Sequence, residues 1–165
     1  MKTTTSTALT VAGFDPSGGA GLQADLKTFS AFGVSGKSVA TSITIQNTAG
    51  VLGAHDISPE IVERQLKVIL EDGKPGAVKI GMLGNELIIK TLVRLLRRYR
   101  IKKLVVDPVI YSSSGKSLLS LQGIQVMKKE LLPITFLLTP NLNEAEILSG
   151  VKIKNASDRI RAARV

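Results

Sequence analysis

The sequence predicts an open α/β sheet with helices on both of its faces. Two observations lead to this fold class. Short apolar runs, ending in residues such as Gly, Pro, Asp and Asn, alternate with stretches in which apolar residues recur at helical spacing. Such alternation is typical of βαβ units, and near-continuous apolar runs indicate parallel strands that are buried on both faces. A length of 165 residues, 44% of them hydrophobic, fits one domain with a sizeable core.

Five apolar runs are predicted to form the main sheet. They are Ala8–Gly13, Val39–Gln46, Ala77–Met82, Lys103–Pro108 and Phe136–Pro140. A sixth, weaker run over Val51–Ile57 predicts a strand that lies near an edge or runs antiparallel.

Helices are predicted between these runs. Their spans are Gly18–Phe32, Pro59–Leu70, Asn85–Arg100, Gln122–Leu132 and Asn143–Leu148. Ser58 is a suitable cap for the second helix, and Pro59 suits its first position. A last capped helix is predicted within Asn155–Val165, opening at Ser157, although two helical turns are marginal without packing partners.

Composition excludes several kinds of site. The chain has no Cys, which rules out disulfide scaffolds, thiolate zinc sites and cysteine nucleophiles. His55 is the single histidine, so a multi-histidine metal site is impossible and a Ser–His triad is disfavoured. A bound metal would therefore take oxygen ligands, which suits magnesium. Without a membrane span of about 18 apolar residues, we expect a cytoplasmic protein with no membrane partner.

The net charge of +9 raises the question of a nucleic-acid partner. A basic cluster spans residues 90–103, and it consists of Lys90, Arg94, Arg97, Arg98, Arg100, Lys102 and Lys103. The helical ones among them lie opposite the apolar stripe of their predicted helix, and cations suit a helix C-terminus. We therefore predict a solvated face and no nucleic-acid binding.

A ligand site is expected at one edge of the predicted sheet. In open α/β sheets, ligands bind outside the carboxyl ends of the strands. Gln46, Asp107 and Asn141 all stand at such ends, where plain turns do not require them. The two Gly-Lys-Ser triplets, at Gly36 and Gly115, lack the earlier glycine of a P-loop, so neither predicts a Walker motif.

A glycine-rich segment over Asp15–Gly21 joins the first predicted strand to its helix. Either this segment is a tight turn, or its N–H groups and the helix N-terminus receive an anion. Residues 19–24 also fit the G-x-G-x-x-A form of the dinucleotide fingerprint. That fingerprint needs an acidic residue at the end of the second strand, where Gln46 stands instead.

Together these segments resemble the hydroxymethylpyrimidine/phosphomethylpyrimidine kinases of thiamine biosynthesis. The long segment Ala12–Thr28, which reads AGFDPSGGAGLQADLKT, is similar to the N-terminal signature of that family. Four further motifs follow in the family's order; they are Gln46–Thr48, Lys79–Leu83, Asp107–Val109 and Thr139–Glu146. The last motif, with its Asn-x-x-Glu, is shared across ribokinase-like kinases.

The resemblance implies a fold, an activity and ligands. The fold is a three-layer αβα sandwich with a mainly parallel sheet of ribokinase-like type. The activity is transfer of the ATP γ-phosphate to hydroxymethylpyrimidine and then to its monophosphate, with Mg²⁺. The partners would be the small pyrimidine, ATP and, in a homodimer, a second copy of the chain.

The resemblance also implies roles for individual residues. Gln46 matches the glutamine that reads the pyrimidine edge, which a side-chain amide suits because it both donates and accepts. The other implied substrate-binding residues are Gly13, Asp25, Met82 and Val109. Asp107 and Glu144 match the residues that organise magnesium, while Asn141 and Glu144 match those that bind the nucleotide.

One part of the family pattern has no match. The family's catalytic residue and anion hole lie in a Gly-Thr-Gly-Cys-like segment that is absent here, so no catalytic residue is assigned to this chain. We therefore expect it to be the N-terminal part of such a kinase, lacking the C-terminal portion, and inactive alone. The alternatives are a pyridoxal kinase of the same fold, a non-catalytic pyrimidine-binding protein and, more distantly, a dinucleotide-binding domain.

Overall fold

The computed structural model describes residues 6–165, which form a six-stranded sheet flanked by helices. The strands are β1 (Thr7–Phe14), β2 (Ser35–Asn47), β3 (Gly50–Asp56), β4 (Ala77–Ile80), β5 (Leu104–Val106) and β6 (Leu137–Leu138). Their order across the sheet is β3-β2-β1-β4-β5-β6. Every pairing is parallel except that of β2 with β3, so the weak sixth run is an antiparallel edge strand, as predicted.

The α-helices follow the predicted order with small differences at their ends. They are α1 (Gly21–Ala31), α2 (Pro59–Asp72), α3 (Glu86–Arg98), α4 (Leu121–Val126), α5 (Leu142–Ser149) and α6 (Ala156–Ala163). After α4 the helix continues as a π turn over Met127–Leu131 and a 3₁₀ turn over Leu132–Ile134. Pro133 lacks an N–H group and ends this helical segment. The last helix begins at Ala156 rather than Ser157, because Asn155 is its cap.

Helices cover both faces of the sheet, which confirms the predicted sandwich. Gly36 and Val39, three residues apart on β2, point to opposite faces. On the first face, a Cβ at Gly36 would meet Leu26 and Phe29 of α1. On the second face, Val39 belongs to the buried core that α2 and α3 complete with residues such as Leu66.

Two predicted strands are less buried than their apolar sequence suggests. Beyond Ile43, which pairs with the last residue of β1, strand β2 pairs with β3 alone, and Ile45 is about half exposed. At the other edge, β6 has only two residues, and Leu137 is half exposed. The expectation of burial on both faces is therefore wrong at these positions, since a strand with one neighbour is covered less completely.

The basic cluster lies where the sequence placed it. Lys90, Arg94, Arg97 and Arg98 are exposed on α3, and Arg94 pairs with Glu63 of α2 at 2.6 Å. His55 is exposed on the edge strand β3. Within residues 6–165, no helix is both long enough and apolar enough to cross a membrane.

The chain changes direction across the sheet at β1, and this change positions the site. From β1 the chain passes through α1 to β2 on one side, and later crosses through α2 to β4 on the other. The connections on the two sides of β1 therefore diverge at its carboxyl end, leaving a crevice there. Ligands of open α/β folds bind at such a switch point.

Candidate active site

A cavity of about 270 Å³ occupies this crevice at the carboxyl ends of β1, β2, β4 and β5. Four of the predicted substrate-binding residues line it together, and these are Gly13, Gln46, Met82 and Val109. Asp107, a predicted magnesium ligand, lines it as well. The tertiary structure thus brings together residues that span almost a hundred positions of sequence.

Gly13 and Met82 form one wall of the cavity. A Cβ at Gly13 would lie 3.1 Å from Met82 Sδ and 3.0 Å from Ser42 Oγ, so the wall leaves no space for a side chain. Met82 is held in place because Thr41 donates to its carbonyl oxygen at 2.6 Å. The wall therefore presents a flat backbone and a thioether, which suit the face of a small planar ring.

Gln46 faces the cavity from the end of β2, and Thr44 lies beside it on the same side of the strand. The Thr44 hydroxyl donates to the carbonyl oxygen of Phe14 at 2.9 Å and lies 3.3 Å from Gln46 Oε1. Thr44 is itself buried, so its position is well defined. Because the single Thr44 proton is donated to Phe14, the hydrogen-bonding groups of the Gln46 amide stay open to a ligand.

The glycine-rich segment is organised by Asp15, whose carboxylate is buried. It accepts from the N–H groups of Ser17, Gly19 and Ala20 at 2.8–3.0 Å and from the Ser17 hydroxyl. Burial by itself raises the pKa of Asp15, but these hydrogen bonds outweigh it and lower the pKa below its ordinary value. The N–H groups of Ser17, Gly19 and Ala20 therefore hold the protein's own carboxylate, as in a tight turn, and an anion at the N-terminus of α1 stays a prediction.

Gly21 closes this turn against β1. Its φ is +57°, and a Cβ there would lie 2.2 Å from the carbonyl oxygen of Gly13. Only glycine permits so close an approach of two backbone segments. The turn therefore fixes both Gly21 and Gly13, which line the same cavity.

Asp25 does not line the cavity, but it contacts a residue that does. Its carboxylate accepts from the Thr10 hydroxyl at 2.5 Å and pairs with Lys79 Nζ at 3.0 Å. Lys79 does line the cavity, and its ammonium lies 3.9 Å from Asp107 Oδ2. A direct contact between Asp25 and a substrate stays a prediction, whereas its contact with Lys79 is part of the structure.

Asp107 and Glu144 are close enough for their charges to interact. Burial raises the pKa of Asp107, and Asp25 adds to this while Lys79 opposes it. Burial also raises the pKa of Glu144, with a smaller contribution from the negative charge of Asp107. Glu144 lies outside the cavity lining, and its carboxylate accepts from the N–H groups of Asn141 and Ile110.

Asn141 is the N-cap of α5 and forms a capping box with Glu144. The Asn141 side-chain oxygen accepts from the Glu144 N–H at 2.9 Å, and the Glu144 carboxylate accepts from the Asn141 N–H at 2.9 Å. Both side chains therefore have structural partners. Their roles toward nucleotide and metal stay predictions.

Of the two predicted magnesium ligands, Asp107 is the more accessible. Within residues 6–165, no group of three or more His, Cys, Asp or Glu side chains is placed so that it could hold a metal ion. Mg²⁺ commonly keeps several waters and binds through one or two carboxylates together with substrate phosphates. The partly exposed Asp107 carboxylate at the cavity edge fits such a site, whereas the buried Glu144 is already engaged with backbone N–H groups.

Sequence reasoning missed several residues of the cavity. Lys79 and Thr44 have no role in the sequence-based prediction, although Lys79 pairs with Asp25 and Thr44 lies beside Gln46. Tyr111, Ser112 and Ser113 also line the cavity. A charged residue inside the apolar run Ala77–Met82 was the one available signal, because buried central strands rarely contain lysine.

Comparison with known proteins shows which family the chain resembles. The family model described as phosphomethylpyrimidine kinase matches residues 15–165. A hydroxymethylpyrimidine/phosphomethylpyrimidine kinase of Bacillus subtilis is 43% identical over 156 residues, covering 94% of this chain and 58% of the relative. One of Rhizobium meliloti is 47% identical, covering 97% of this chain and 59% of the relative. The chain therefore spans less than two thirds of the length of these relatives.

Solved structures have the same fold. The crystal structure of a phosphomethylpyrimidine kinase from Clostridium difficile matches with a TM-score of 0.90 and 47% identity, over 96% of this chain and 69% of that one. A pyridoxal kinase of Staphylococcus aureus, in complex with AMP-PCP and pyridoxal, matches with a TM-score of 0.85 and 36% identity. The match covers 97% of this chain and 57% of that one.

Proposed function

Because this chain belongs to the phosphomethylpyrimidine kinase family, we propose that its cavity binds hydroxymethylpyrimidine and its monophosphate for phosphorylation by ATP. The observation that carries the proposal is the convergence of Gln46, Gly13, Met82 and Val109 on one cavity. The Gln46 amide would hydrogen-bond to a ring edge that has a donor and an acceptor side by side, and Met82 would pack against the face of that ring.

In this proposal, Asp107 supplies the carboxylate for Mg²⁺ at the edge of the cavity. The metal would neutralise charge on the phosphates of ATP, since phosphoryl transfer depends mainly on positioning and charge neutralisation. Asn141 and Glu144 follow β6 on the same side of the sheet and are proposed to organise the nucleotide side of the site, as the family resemblance implies.

The test is a direct assay of the purified chain. Hydroxymethylpyrimidine binding is measured by calorimetry, and ATP-dependent formation of its mono- and diphosphate by mass spectrometry, with pyridoxal as a parallel substrate. Binding of the pyrimidine in preference to pyridoxal supports the proposal. Absence of pyrimidine binding would contradict it, and preferential phosphorylation of pyridoxal would favour the pyridoxal kinase alternative.

Two further alternatives separate in the same assay. Pyrimidine binding without phosphate transfer agrees with a pyrimidine-binding protein and equally with the expected inactivity of a kinase that lacks its anion cradle, whereas phosphate transfer by the chain excludes the pyrimidine-binding protein. A dinucleotide-binding role predicts tight binding of a nicotinamide dinucleotide. Gln46 disfavours that role, since the ribose of such a cofactor is held by an acidic residue at this position.

We also propose a homodimer in the cytoplasm. Ile43 and Ile45 on β2 and Leu52 on the edge strand β3 are more than half exposed, so pairing of two copies along this ribbon would cover apolar surface. Sedimentation analysis of the chain, compared with an I45K variant, tests the dimer. A monomer at all concentrations contradicts it.

A further inference from the structure

Lys79 is an unusual residue for its place in the fold. It is the third residue of β4, a central strand that pairs with β1 on one side and β5 on the other. Its side chain is only 24% exposed. A charge at such a position must be compensated, because removing an ammonium from water is unfavourable unless it is paired.

The lysine runs along the sheet toward the cavity. Thr10 is its register partner on β1, and the Thr10 hydroxyl and the Lys79 ammonium both bind Asp25 of α1. A Cβ at Gly81, two residues further along the chain, would lie 3.0 Å from Nζ, so the missing side chain at Gly81 makes room for the ammonium. The Lys79 side chain thus starts in the middle of the strand and places its ammonium group near the carboxyl end.

At that end, Lys79 is the one basic side chain among the described residues that line the cavity. It stands between two carboxylates, with Asp25 at 3.0 Å and Asp107 at 3.9 Å. The third nearby carboxylate, that of Asp15, is occupied by N–H and hydroxyl donors of its own turn. The group of Asp25, Lys79 and Asp107 therefore has a formal charge of −1, and without the lysine it would have −2.

From this arrangement we propose that Lys79 is a specificity-determining residue that halves the negative charge of this group, so that a phosphorylated pyrimidine is accepted beside Asp107. The inference rests on the proposed function and concerns the monophosphate in particular. A neutral alcohol experiences no net charge–charge repulsion from the carboxylates, whereas a phosphate is repelled by uncompensated carboxylates. The lysine therefore affects binding of the pyrimidine monophosphate far more than binding of hydroxymethylpyrimidine.

The readout is the ratio of two dissociation constants, that of the pyrimidine monophosphate over that of hydroxymethylpyrimidine. Both are measured by calorimetry with a chelator present, so that metal ions do not contribute to the charge. Any general damage to the cavity affects both ligands and cancels in the ratio. The charge of the group predicts the ratio in four proteins: unsubstituted chain, K79M, D25N and the double variant.

K79M changes the charge of the group to −2. We expect the ratio to rise about fivefold or more, because two unit charges about 4 Å apart in water interact by about 1 kcal/mol. D25N makes the group neutral, and the ratio falls. The double variant returns the group to −1, and the ratio returns to that of the unsubstituted chain. K79R keeps the charge and the ratio.

Lys37 supplies a matched control. It is also a strand lysine paired with an aspartate, Asp72 at 2.6 Å, and its side chain is 23% exposed, but it lies outside the cavity lining. K37M leaves the ratio unchanged. An equal rise in K37M and K79M overturns the inference, as does a double variant that keeps the raised ratio of K79M.

The experiment also separates this inference from the proposed function. If the unsubstituted chain binds both ligands and neither K79M nor D25N moves the ratio, the inference is wrong and the proposed function stands. If the unsubstituted chain binds neither ligand, both are wrong. Because D25N retains the lysine, it tests the inference even where K79M disturbs folding.

Discussion

Gly21 shows how one backbone position can shape the cavity. The carbonyl oxygen of Gly13 occupies the place that a Cβ at Gly21 would take. We expect G21A to lower the free energy of unfolding by about 2 kcal/mol or more, because a clash between backbone segments adds to the unfavourable positive φ.

Gly33 is a control for that prediction. Its φ is +66°, but a Cβ there meets nothing within 4 Å. G33A should therefore show only the cost of a Cβ at positive φ, about 1 kcal/mol. Both values come from denaturant unfolding, and equal losses in the two variants would mean that the contact with Gly13 contributes nothing.

Gln46 is expected to account for recognition of the pyrimidine edge. Q46A should weaken binding of hydroxymethylpyrimidine by about 1–3 kcal/mol, because polar groups of the bound ligand lose their partner. The measurement is calorimetry, with Q125A, at an exposed helical position, as the control. Unchanged affinity in Q46A refutes the assignment.

The stability that Asp15 contributes to the fold is expected to depend on pH. Since hydrogen bonds lower the pKa of Asp15 in the folded state, the carboxylate stabilises the fold above its ordinary pKa of 3.8. That stability is lost as the pH falls through the lowered folded-state pKa. D15N should therefore be less stable than the unsubstituted chain at neutral pH, and the difference should shrink in acid. Thermal unfolding across this range measures it, and a difference independent of pH contradicts the explanation.

At the scale of elements, the start of α5 combines a structural and a proposed functional role. Asn141 caps the helix, and N141A should lower the free energy of unfolding by about 1 kcal/mol. N141D keeps an accepting oxygen, so it should retain most of the stability.

The same pair of variants examines the proposed nucleotide role. Calorimetry with ATP compares N141A and N141D with S120A, which removes the side-chain cap of α4. If Asn141 organises the nucleotide side of the site, N141A weakens ATP binding and S120A does not. Equal ATP affinity in all three variants would leave Asn141 with its capping role alone.

At the scale of the whole molecule, the order of strands predicts local stability. β1 and β4 have a neighbour on each side, whereas β3 and β6 are edges. We expect amide hydrogens of β1, such as that of Leu9, to exchange far more slowly than those near Leu52 in β3, because opening the centre requires global unfolding. Exchange followed by mass spectrometry or NMR tests this, and equal protection across the sheet would be inconsistent with the topology.

Much of the fold was contained in the sequence. Apolar runs and helical periodicity predicted all six strands and the helices around them, since burial and backbone hydrogen bonding act on short segments. The exposed Ile45 and Leu137 escaped prediction, because an apolar residue carries no sign of whether a neighbouring strand extends far enough to cover it.

The candidate site was determined in part by the sequence. Motif order led to Gln46, Asp107 and the glycine-rich turn, because the carboxyl ends of parallel strands must share an edge. Only the tertiary structure decided which polar groups bind each other. Asp15 accepts from the N–H groups of its own turn, and Glu144 accepts from backbone N–H groups. Asp25 forms an ion pair with Lys79. Hydrogen bonds and ion pairs depend on distances of a few ångströms between elements far apart in the chain. Such distances follow from packing, and no local pattern in the sequence encodes them.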